Sequence, residues 1–287
     1  MKSIAVHSFK GGVGKTTISL ILAKHAVLSG LRTCVLDFDF IGAGMNDLYR
    51  LARQPQRYLE SFLLDAAPQA IDVAELLAAY GDDELGKSEL SVILNMAEPS
   101  GKPAQVQEET AVLTRMERQV AAEPRYHEVE AGAKLLLPAL EKMGFELAVF
   151  DCHPGLSFVS AALRRVANLH VYVTTPNRSD CFGLLKAVNN RQLDDERSFL
   201  VLNRAEEPLI DLATFREALK GDALRRTEAA VLFGQLRVVG KREGHFAVIR
   251  ESTVMRGQYN LGSKGYLPDL GRRQADFGFA DPVLALL

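Results

Sequence analysis

The sequence predicts an α/β protein built on a doubly wound, mostly parallel sheet that is flanked by helices. The first observation is a βαβ unit, in which the apolar run 4–9, a glycine-rich turn, a helical pattern over 16–28 and a second apolar run over 33–36 follow one another. The second observation is that further apolar runs alternate with helical patterns; the runs cover 147–150, 170–175, 198–203 and 236–239. This alternation favours parallel strands joined by right-handed crossovers.

The boundaries of these elements follow from their residues. The run 4–9 is short, apolar and followed by glycines, which is typical of a buried strand. Apolar side chains then recur at helical spacing, and Gly30 lies where a helix end favours a residue with positive φ. Later helical patterns cover 131–143, 157–167 and 181–190.

The stretch 46–143 is mostly helical in its pattern and is acidic. Residues 40–150 contain ten basic and eighteen acidic side chains. Amphipathic pieces cover 59–64 and 73–80, a candidate strand covers 90–94, and a charged helix follows over about 105–122. We therefore predict a single domain over 1–287, with a helical acidic insertion at about 50–143 and a divergent C-terminal region at about 240–287.

Composition excludes several classes of protein. The chain has 287 residues, of which 47% are hydrophobic and 24% charged, and its formal net charge is -2. These values argue against a disordered or fibrous chain, and no apolar run reaches the roughly 18 residues of a membrane span. The three cysteines are widely spaced and form neither a disulfide framework nor a CxxC pair. Because Lys10 interrupts an already short N-terminal apolar run, no signal peptide is predicted, and we expect a cytoplasmic protein.

Residues 10–17 have the sequence KGGVGKTT and lie between the first predicted strand and helix. Glycines leave backbone N–H groups free to converge on an anion, and the start of a helix adds the positive end of its dipole. In a P-loop of this kind Lys15 bridges β- and γ-phosphate oxygens, Thr16 coordinates Mg²⁺ and Thr17 reaches the α-phosphate. The predicted nucleotide-binding residues of the loop are Gly11, Gly12, Val13, Gly14, Lys15, Thr16 and Thr17. The alternative is a glycine-rich turn that only connects strand and helix.

The loop departs from the pattern G-x-x-x-x-G-K-[ST], because Phe9 occupies the first glycine position and Lys10 precedes the glycine pair. A second lysine is costly to hold near Lys15 unless an anion lies between them. If the loop bends as P-loops do, Lys10 points away from its own nucleotide and toward a neighbouring molecule. That geometry suits a dimer with nucleotide at its interface.

With this loop, the sequence resembles the MinD/ParA family of P-loop ATPases, whose deviant Walker A motif reads K-G-G-x-G-K-[ST]. The resemblance covers residues 1–50 and 145–205 and is loose beyond 239. It implies ATP and Mg²⁺ as ligands, and it implies that Lys10 is a signature lysine that reaches across an ATP-bound homodimer to the partner's nucleotide. By the same likeness, Lys10 and Lys15 belong to the catalytic residues.

The family's next motif is an apolar strand that ends in D-x-D, and here it is Asp37 and Asp39. By this likeness Asp39 is catalytic, because it positions the attacking water near the γ-phosphate, and Asp37 lies close to the metal shell. The run 145–151 fits a Walker B strand, which delivers Asp151 to the Mg²⁺ site. The predicted metal-binding residues are Thr16, Asp39 and Asp151. For the D-x-D pair, a strand-end turn with a capping aspartate is the alternative.

Two further residues are assigned by the resemblance to the nucleotide's base. Asn203 follows a predicted strand, at the place where the family has an amide that contacts adenine, and an amide offers both a donor and an acceptor to that base. Pro176 resembles the family's strand-end proline. No guanine-recognition motif follows the strand, which favours ATP. The alternative for Asn203 is a turn cap.

The resemblance implies an ATP-hydrolysing switch that dimerises on ATP to partition or position DNA or a protein assembly. Turnover is expected to be slow and stimulated by a regulatory protein partner. Basic and aromatic side chains over 250–279 make non-specific DNA a further candidate partner, although the acids among them favour a solvated surface. The tail 280–287 is short and has no Lys or Arg, so no stable membrane anchor is expected.

Two other functions remain open on the same fold. A metabolic ATP-dependent ligase or synthetase, similar to dethiobiotin synthetase, would phosphorylate a carboxylate and hold its substrate in the region 50–143. An iron–sulfur carrier that resembles the nitrogenase iron protein is disfavoured, because the cysteines are not paired at a suitable spacing.

Overall fold

The computed structural model describes the chain in segments, and the following statements concern these residues alone. They are 1–40, 45, 51–65, 67–81, 85, 88–95, 125–155, 157–175, 180, 197–205, 246–250 and 279–287. The predicted helices over 105–122 and 181–190 and the predicted strand over 236–239 lie outside them. So does most of the region 240–287.

Eight strands of the described segments form one sheet, in the order β3-β4-β2-β5-β1-β6-β7-β8. Their bounds are β1 Lys2–Ser8, β2 Thr33–Phe38, β3 Leu77–Tyr80, β4 Leu90–Ile93, β5 Leu147–Cys152, β6 Leu169–Thr174, β7 Ser198–Ala205 and β8 Phe246–Arg250. Every neighbouring pair is parallel except β3 with β4, which is antiparallel. The predicted mostly parallel sheet is therefore confirmed.

Helices cover both faces of this sheet, as a doubly wound fold requires. They are α1 Lys15–Leu28, α2 Leu59–Leu63, α3 Arg125–Lys142, α4 Phe158–Val166 and α5 Ala280–Ala285, with 3-10 turns at Pro68–Ala70 and Val73–Leu76. One core cluster contains the apolar residues of α1 and of the C-terminal α5, and the other contains those of α3 and α4. Ten of the 14 residues of α1 are buried, so the helix that follows the glycine-rich loop is held firmly against the sheet.

The segment predicted as mostly helical contributes two strands to the sheet. The predicted strand at 90–94 is confirmed as β4, but the amphipathic piece at 73–80 is a 3-10 turn followed by β3. Leu77–Tyr80 is rich in helix-forming residues, yet it pairs with β4 and buries Tyr80 completely. Tertiary packing here outweighs local helix propensity.

Strand β1 lies where the connections of the sheet change direction. The chain passes from β1 to β2 on one side, and later crosses from β5, past β1, to β6 on the other side. Ligands of open α/β sheets bind at the carboxyl ends of strands at such a point. The register places Val6 and Asp37 on either side of Asp151, so polar residues of β2 and β5 end beside the loop that follows β1.

No helix of the described segments is long and apolar enough to cross a membrane.

Candidate functional site

The glycine-rich loop has the backbone geometry of an anion-binding turn. Gly12 has φ +80° and Gly14 has φ +91°, a region that glycine enters without strain. Gly14 is the N-cap of α1 and no side chain caps the helix, so the first N–H groups of α1 are not occupied by a capping residue. An added Cβ at Gly11 or Gly12 would meet no atom within 4 Å, which leaves the loop open on that side. The loop therefore fits a phosphate group.

The two polar residues that begin α1 contact the aspartate predicted at the end of β5. Lys15 Nζ lies 2.7 Å from Asp151 Oδ1, and Thr16 Oγ1 donates to Asp151 Oδ2 at 2.7 Å. Ser19, one helical turn after Lys15, also donates to Asp151 Oδ1 at 2.9 Å. The structure thus brings Lys15, Thr16 and Asp151 together as predicted, and adds Ser19.

Asp39 completes the acidic side of this cluster. Its Oδ2 lies 3.4 Å from Lys15 Nζ. Burial would lower the pKa of Lys15, but the nearby carboxylates of Asp151 and Asp39 outweigh burial and raise the pKa above its ordinary value. Lys15 is therefore charged at neutral pH and holds two carboxylates at the carboxyl edge of the sheet.

Asp37 has a different environment from Asp39. It is fully buried, and its two oxygens accept hydrogen bonds from the backbone N–H groups of Asp39, at 3.0 Å, and Met45, at 3.1 Å. Burial, and then the negative charge of its register neighbour Asp151, raise the pKa of Asp37 to about 8. Asp37 lies next to the acidic cluster, and its two hydrogen bonds stabilise the backbone that follows β2.

Asn95, which was not among the predicted site residues, also stabilises this edge of the sheet. Asn95 follows β4 and donates from Nδ2 to the backbone oxygen of Asp39 at 2.5 Å. A polar residue directly after a predicted strand was the signal that could have found it, since parallel strands end at one edge of a sheet.

Asn203 lies beside the loop. Its Nδ2 donates to the backbone oxygen of Val13 at 2.7 Å, and a Cβ added at Gly14 would meet this nitrogen at 2.3 Å. An amide oxygen can accept two hydrogen bonds, and no hydrogen bond to the oxygen of Asn203 is found within the described segments. A contact with adenine stays a prediction. Pro176, also assigned to the base, lies outside the described residues.

Lys10 lies apart from Lys15. Its side chain is 56% exposed, whereas that of Lys15 is 6% exposed. Lys10 Nζ lies 3.3 Å from Asp180 Oδ1, and Thr175 Oγ1 donates to Asp180 Oδ2 at 2.5 Å. The two lysines of the loop therefore have separate partners and opposite exposure.

The segment after β5 packs against the end of β1. The N–H of Gly155 donates to the backbone oxygen of Ser8 at 2.8 Å, and Ser160 Oγ donates to that of His153 at 2.7 Å. Ser8 Oγ and His153 Nδ1 are buried, and no other described residue forms a hydrogen bond with either atom. Unsatisfied polar atoms at one edge of a sheet are a feature of ligand sites, where a bound molecule supplies the partner.

The donor set fits a magnesium ion shared with phosphate. Mg²⁺ prefers hard oxygen ligands and is commonly held by one or two carboxylates together with substrate phosphates. Thr16, Asp39 and Asp151 offer a hydroxyl and two carboxylates at one place. Within the described segments, no group of three or more His, Cys, Asp or Glu side chains could hold a metal by itself.

The N-terminal part of the chain matches a known protein family. A ParA family model, described as the NUBPL iron-transfer P-loop NTPase, matches residues 1–80. No curated protein sequence matches the chain significantly.

Solved structures with the same fold cover nearly the whole chain. A Cyanothece McdA–ATP complex is 14% identical, with a TM-score of 0.60 over 100% of this chain and 95% of that chain. The septum site-determining protein MinD with Mg-ADP from Pyrococcus horikoshii OT3 is 16% identical, with a TM-score of 0.56 over 99% and 93%. The MinC:MinD cell division complex of Aquifex aeolicus is 13% identical, with a TM-score of 0.56 over 100% and 96%.

These solved structures have the same fold as the chain. The arrangement of the glycine-rich loop, Lys15 and Asp151 in that fold suits a bound phosphate. Identities this low carry the fold alone, whereas the family match covers the loop itself. Residues 1–80 thus match a ParA family model, and the chain as a whole has the fold of the MinD and McdA structures.

Proposed function

We propose that the chain binds ATP and Mg²⁺, dimerises in the ATP-bound form, and hydrolyses ATP slowly as a switch. The observation that carries this proposal is the separation of the two loop lysines. Lys15 is buried against Asp151 and Asp39, while Lys10 extends from the mouth of the same loop with more than half of its side chain exposed. One subunit uses Lys15 for its own nucleotide and presents Lys10 to another.

The residues of one subunit supply most of the phosphate site. Backbone N–H groups from Gly11 to Thr17 bind the phosphate oxygens, and Lys15 neutralises the β- and γ-phosphates. Thr16 and Asp151 hold the metal, with Asp39 on the same side of the cluster. When bound, Mg²⁺ neutralises charge on the phosphates and orients them.

Asp39 is the residue that we assign to the attacking water. Phosphoryl transfer depends mainly on positioning and charge stabilisation, so the side chain must be fixed rather than strongly basic. Asp39 is fixed at both ends: its N–H donates to Asp37 and its backbone oxygen accepts from Asn95. Its carboxylate is held toward Lys15.

Lys10 completes the site of the partner subunit. A second ammonium group close to Lys15 is unfavourable until a triphosphate provides compensating negative charge. The exposure of Lys10 makes it available at a surface, where a second copy of the chain brings it to the nucleotide. Dimerisation then depends on ATP, and hydrolysis ends it.

The output of the switch is a change in the surface shown to a partner. MinD, a neighbour of the same fold, forms a complex with MinC. We propose a regulatory protein partner for this chain too, a cytoplasmic location, and a single domain over 1–287 with an acidic insertion at about 50–143 and a divergent C-terminal region at about 240–287. The cargo is a protein assembly or DNA that the switch positions.

The test is the oligomeric state measured by light scattering with Mg²⁺ and a slowly hydrolysed ATP analogue. Wild type is expected to shift from monomer to dimer, whereas Lys10→Ala is expected to bind the analogue normally and remain monomeric. Lys2→Ala, an exposed lysine of β1, is the matched control and should dimerise. A Lys10→Ala protein that dimerises like wild type would overturn the proposal.

A further inference from the structure

Lys10 is held by an aspartate that lies far from it in the sequence. Asp180 Oδ1 is 3.3 Å from Lys10 Nζ, and the aspartate side chain is 8% exposed. Its other oxygen accepts from Thr175 Oγ1 at 2.5 Å, directly after strand β6. Each carboxylate oxygen of Asp180 therefore has a defined contact, one with a neutral hydroxyl and one with the cation of the loop.

The pair is asymmetric in its exposure. Lys10 is mostly in solvent and loses little hydration when it moves, whereas Asp180 is buried and cannot recover its hydration without a rearrangement. Removal of a cation from a buried carboxylate is unfavourable, although solvent around the lysine weakens the attraction. Within this pair, the cost of separating the two charges therefore falls mainly on the buried Asp180.

We infer that Asp180 is a positioning residue that keeps Lys10 within its own subunit and thereby weakens the ATP-dependent dimer. The inference rests on the proposed function, in which Lys10 must reach the nucleotide of a second subunit. Movement of the Nζ atom to that phosphate breaks its contact with Asp180. The free energy of this contact is subtracted from the free energy of dimerisation, so Asp180 sets the ATP and protein concentrations at which the switch turns on.

This role differs from a contribution to nucleotide binding within one subunit. The residues that we assign to the phosphates and metal, Lys15, Thr16 and Asp151, contact one another and not Asp180 in the hydrogen bonds and ion pairs described above. Loss of the Asp180 charge is therefore expected to change dimerisation and to leave the affinity of the monomer for ATP unchanged.

The first measurement tests the pair itself. Wild type, Lys10→Ala, Asp180→Asn and the double variant are unfolded in urea without nucleotide, and the coupling between the two substitutions is calculated. We expect a favourable coupling energy between Lys10 and Asp180. Because Lys10 is exposed, 1 M NaCl should reduce this coupling energy. Additive effects would show that the contact has no energetic weight and would overturn the inference.

The second measurement tests the consequence. Dimer dissociation constants are measured by sedimentation with Mg²⁺ and a slowly hydrolysed ATP analogue. Asp180→Asn is expected to tighten the dimer by about threefold to tenfold. In a Lys10→Ala background, which is expected to stay monomeric, the same substitution should not restore the dimer. Asp180→Ser, which keeps a polar group near Thr175 without charge, should act like Asp180→Asn if the latter folds poorly.

A third arm separates this inference from the proposed function. Asp65→Asn removes an exposed carboxylate elsewhere and should leave the dimer unchanged. A Lys10-dependent dimer that Asp180→Asn leaves unchanged, or weakens, would overturn the role of Asp180 alone. A wild-type chain that forms no Lys10-dependent dimer would overturn the proposed function together with it.

Discussion

Lys15 Nζ lies 2.7 Å from Asp151 Oδ1, so the first residue of α1 and the fifth residue of β5 form a buried ion pair beneath the glycine-rich loop. The pair joins the two sequence motifs that bind phosphate and metal in P-loop proteins. Ser19 and Thr16 donate to the same carboxylate, so Asp151 is oriented by three groups of one helix. The site is therefore assembled before phosphate arrives, which lowers the cost of ordering it.

Replacement of Lys15 by Ala should reduce the affinity for ATP by about 100-fold, because the charge-assisted contacts of the lysine with phosphate are lost. It should also lower the free energy of unfolding by about 3 kcal/mol, since the buried carboxylates lose their cation. A fluorescent ATP analogue and urea unfolding measure the two effects. Lys2→Ala should change neither, and nucleotide binding by Lys15→Ala at wild-type affinity would contradict the assignment.

Two glycines of the loop should differ in their tolerance of alanine. Gly14 has φ +91° and an added Cβ would lie 2.3 Å from Asn203 Nδ2, whereas Gly11 has open space around it. Gly14→Ala is expected to lower the free energy of unfolding by about 2 kcal/mol or more, and Gly11→Ala by under about 1 kcal/mol. Thermal unfolding without nucleotide measures both. Equal losses would contradict the described loop geometry.

Substitution of Asn203 tests the predicted contact with adenine. The amide donates to Val13 at 2.7 Å, and in the predicted contact its oxygen would accept from the adenine amino group. Asn203→Ala should weaken ATP binding by about tenfold. It should weaken GTP binding by less, because guanine has no amino group at the position of the adenine amino group. Competition titrations with ATP, GTP and tripolyphosphate measure this difference. An equal loss of affinity for all three ligands would show that Asn203 supports the loop and does not contact the base.

Asp37 should give the stability of the folded protein a specific pH dependence. Its pKa in the folded chain is raised to about 8, so between pH 5 and 8 the folded state keeps a proton that the unfolded chain has released. The unfolded state then binds fewer protons, and the contribution of Asp37 to stability falls as the pH rises.

The measurement is urea unfolding of wild type and Asp37→Asn from pH 5 to 9 without metal or nucleotide. Other titrating groups, such as His7, whose pKa burial and then His170 lower, are common to both proteins and cancel in the difference. The Asp37→Asn protein lacks one backbone hydrogen bond at every pH. As the pH rises to about 8, however, its free energy of unfolding should increase relative to that of wild type. Parallel curves would contradict the raised pKa.

The sequence predicted those parts of the site that are local. A glycine-rich loop between strand and helix fixes the relation of Gly12, Gly14 and Lys15 within a few residues, and a buried parallel strand must deliver Asp151 to the sheet edge. Ser19 was accessible by the same reasoning, because it lies four residues after Lys15 on the same face of α1.

The missed features depend on contacts between distant segments. Strand β3 is rich in residues that favour helix, and only its pairing with β4 makes it extended. The contact of Lys10 with Asp180 requires the loop after β1 and the chain after β6 to meet, which no local pattern specifies. Strand β8, with five residues, was not among the predicted strands.

Complementation between two inactive variants shows whether Lys10 acts on the partner's nucleotide. Lys10→Ala retains Asp39 but lacks the signature lysine, and Asp39→Ala retains Lys10 but lacks the residue assigned to the attacking water. In a mixed dimer, the site of the Lys10→Ala subunit keeps its own Asp39 and receives Lys10 from its partner.

Phosphate release is measured on each variant alone and on their equimolar mixture with Mg²⁺ and ATP. Each variant alone should be inactive. Because Lys10→Ala is expected not to dimerise with itself, it enters dimers only with Asp39→Ala, and each mixed dimer holds one complete site of two. The mixture should therefore recover turnover, up to about half of the wild-type rate when every dimer is mixed. A mixture that stays as inactive as its components would show that Lys10 acts within its own subunit and would contradict the account.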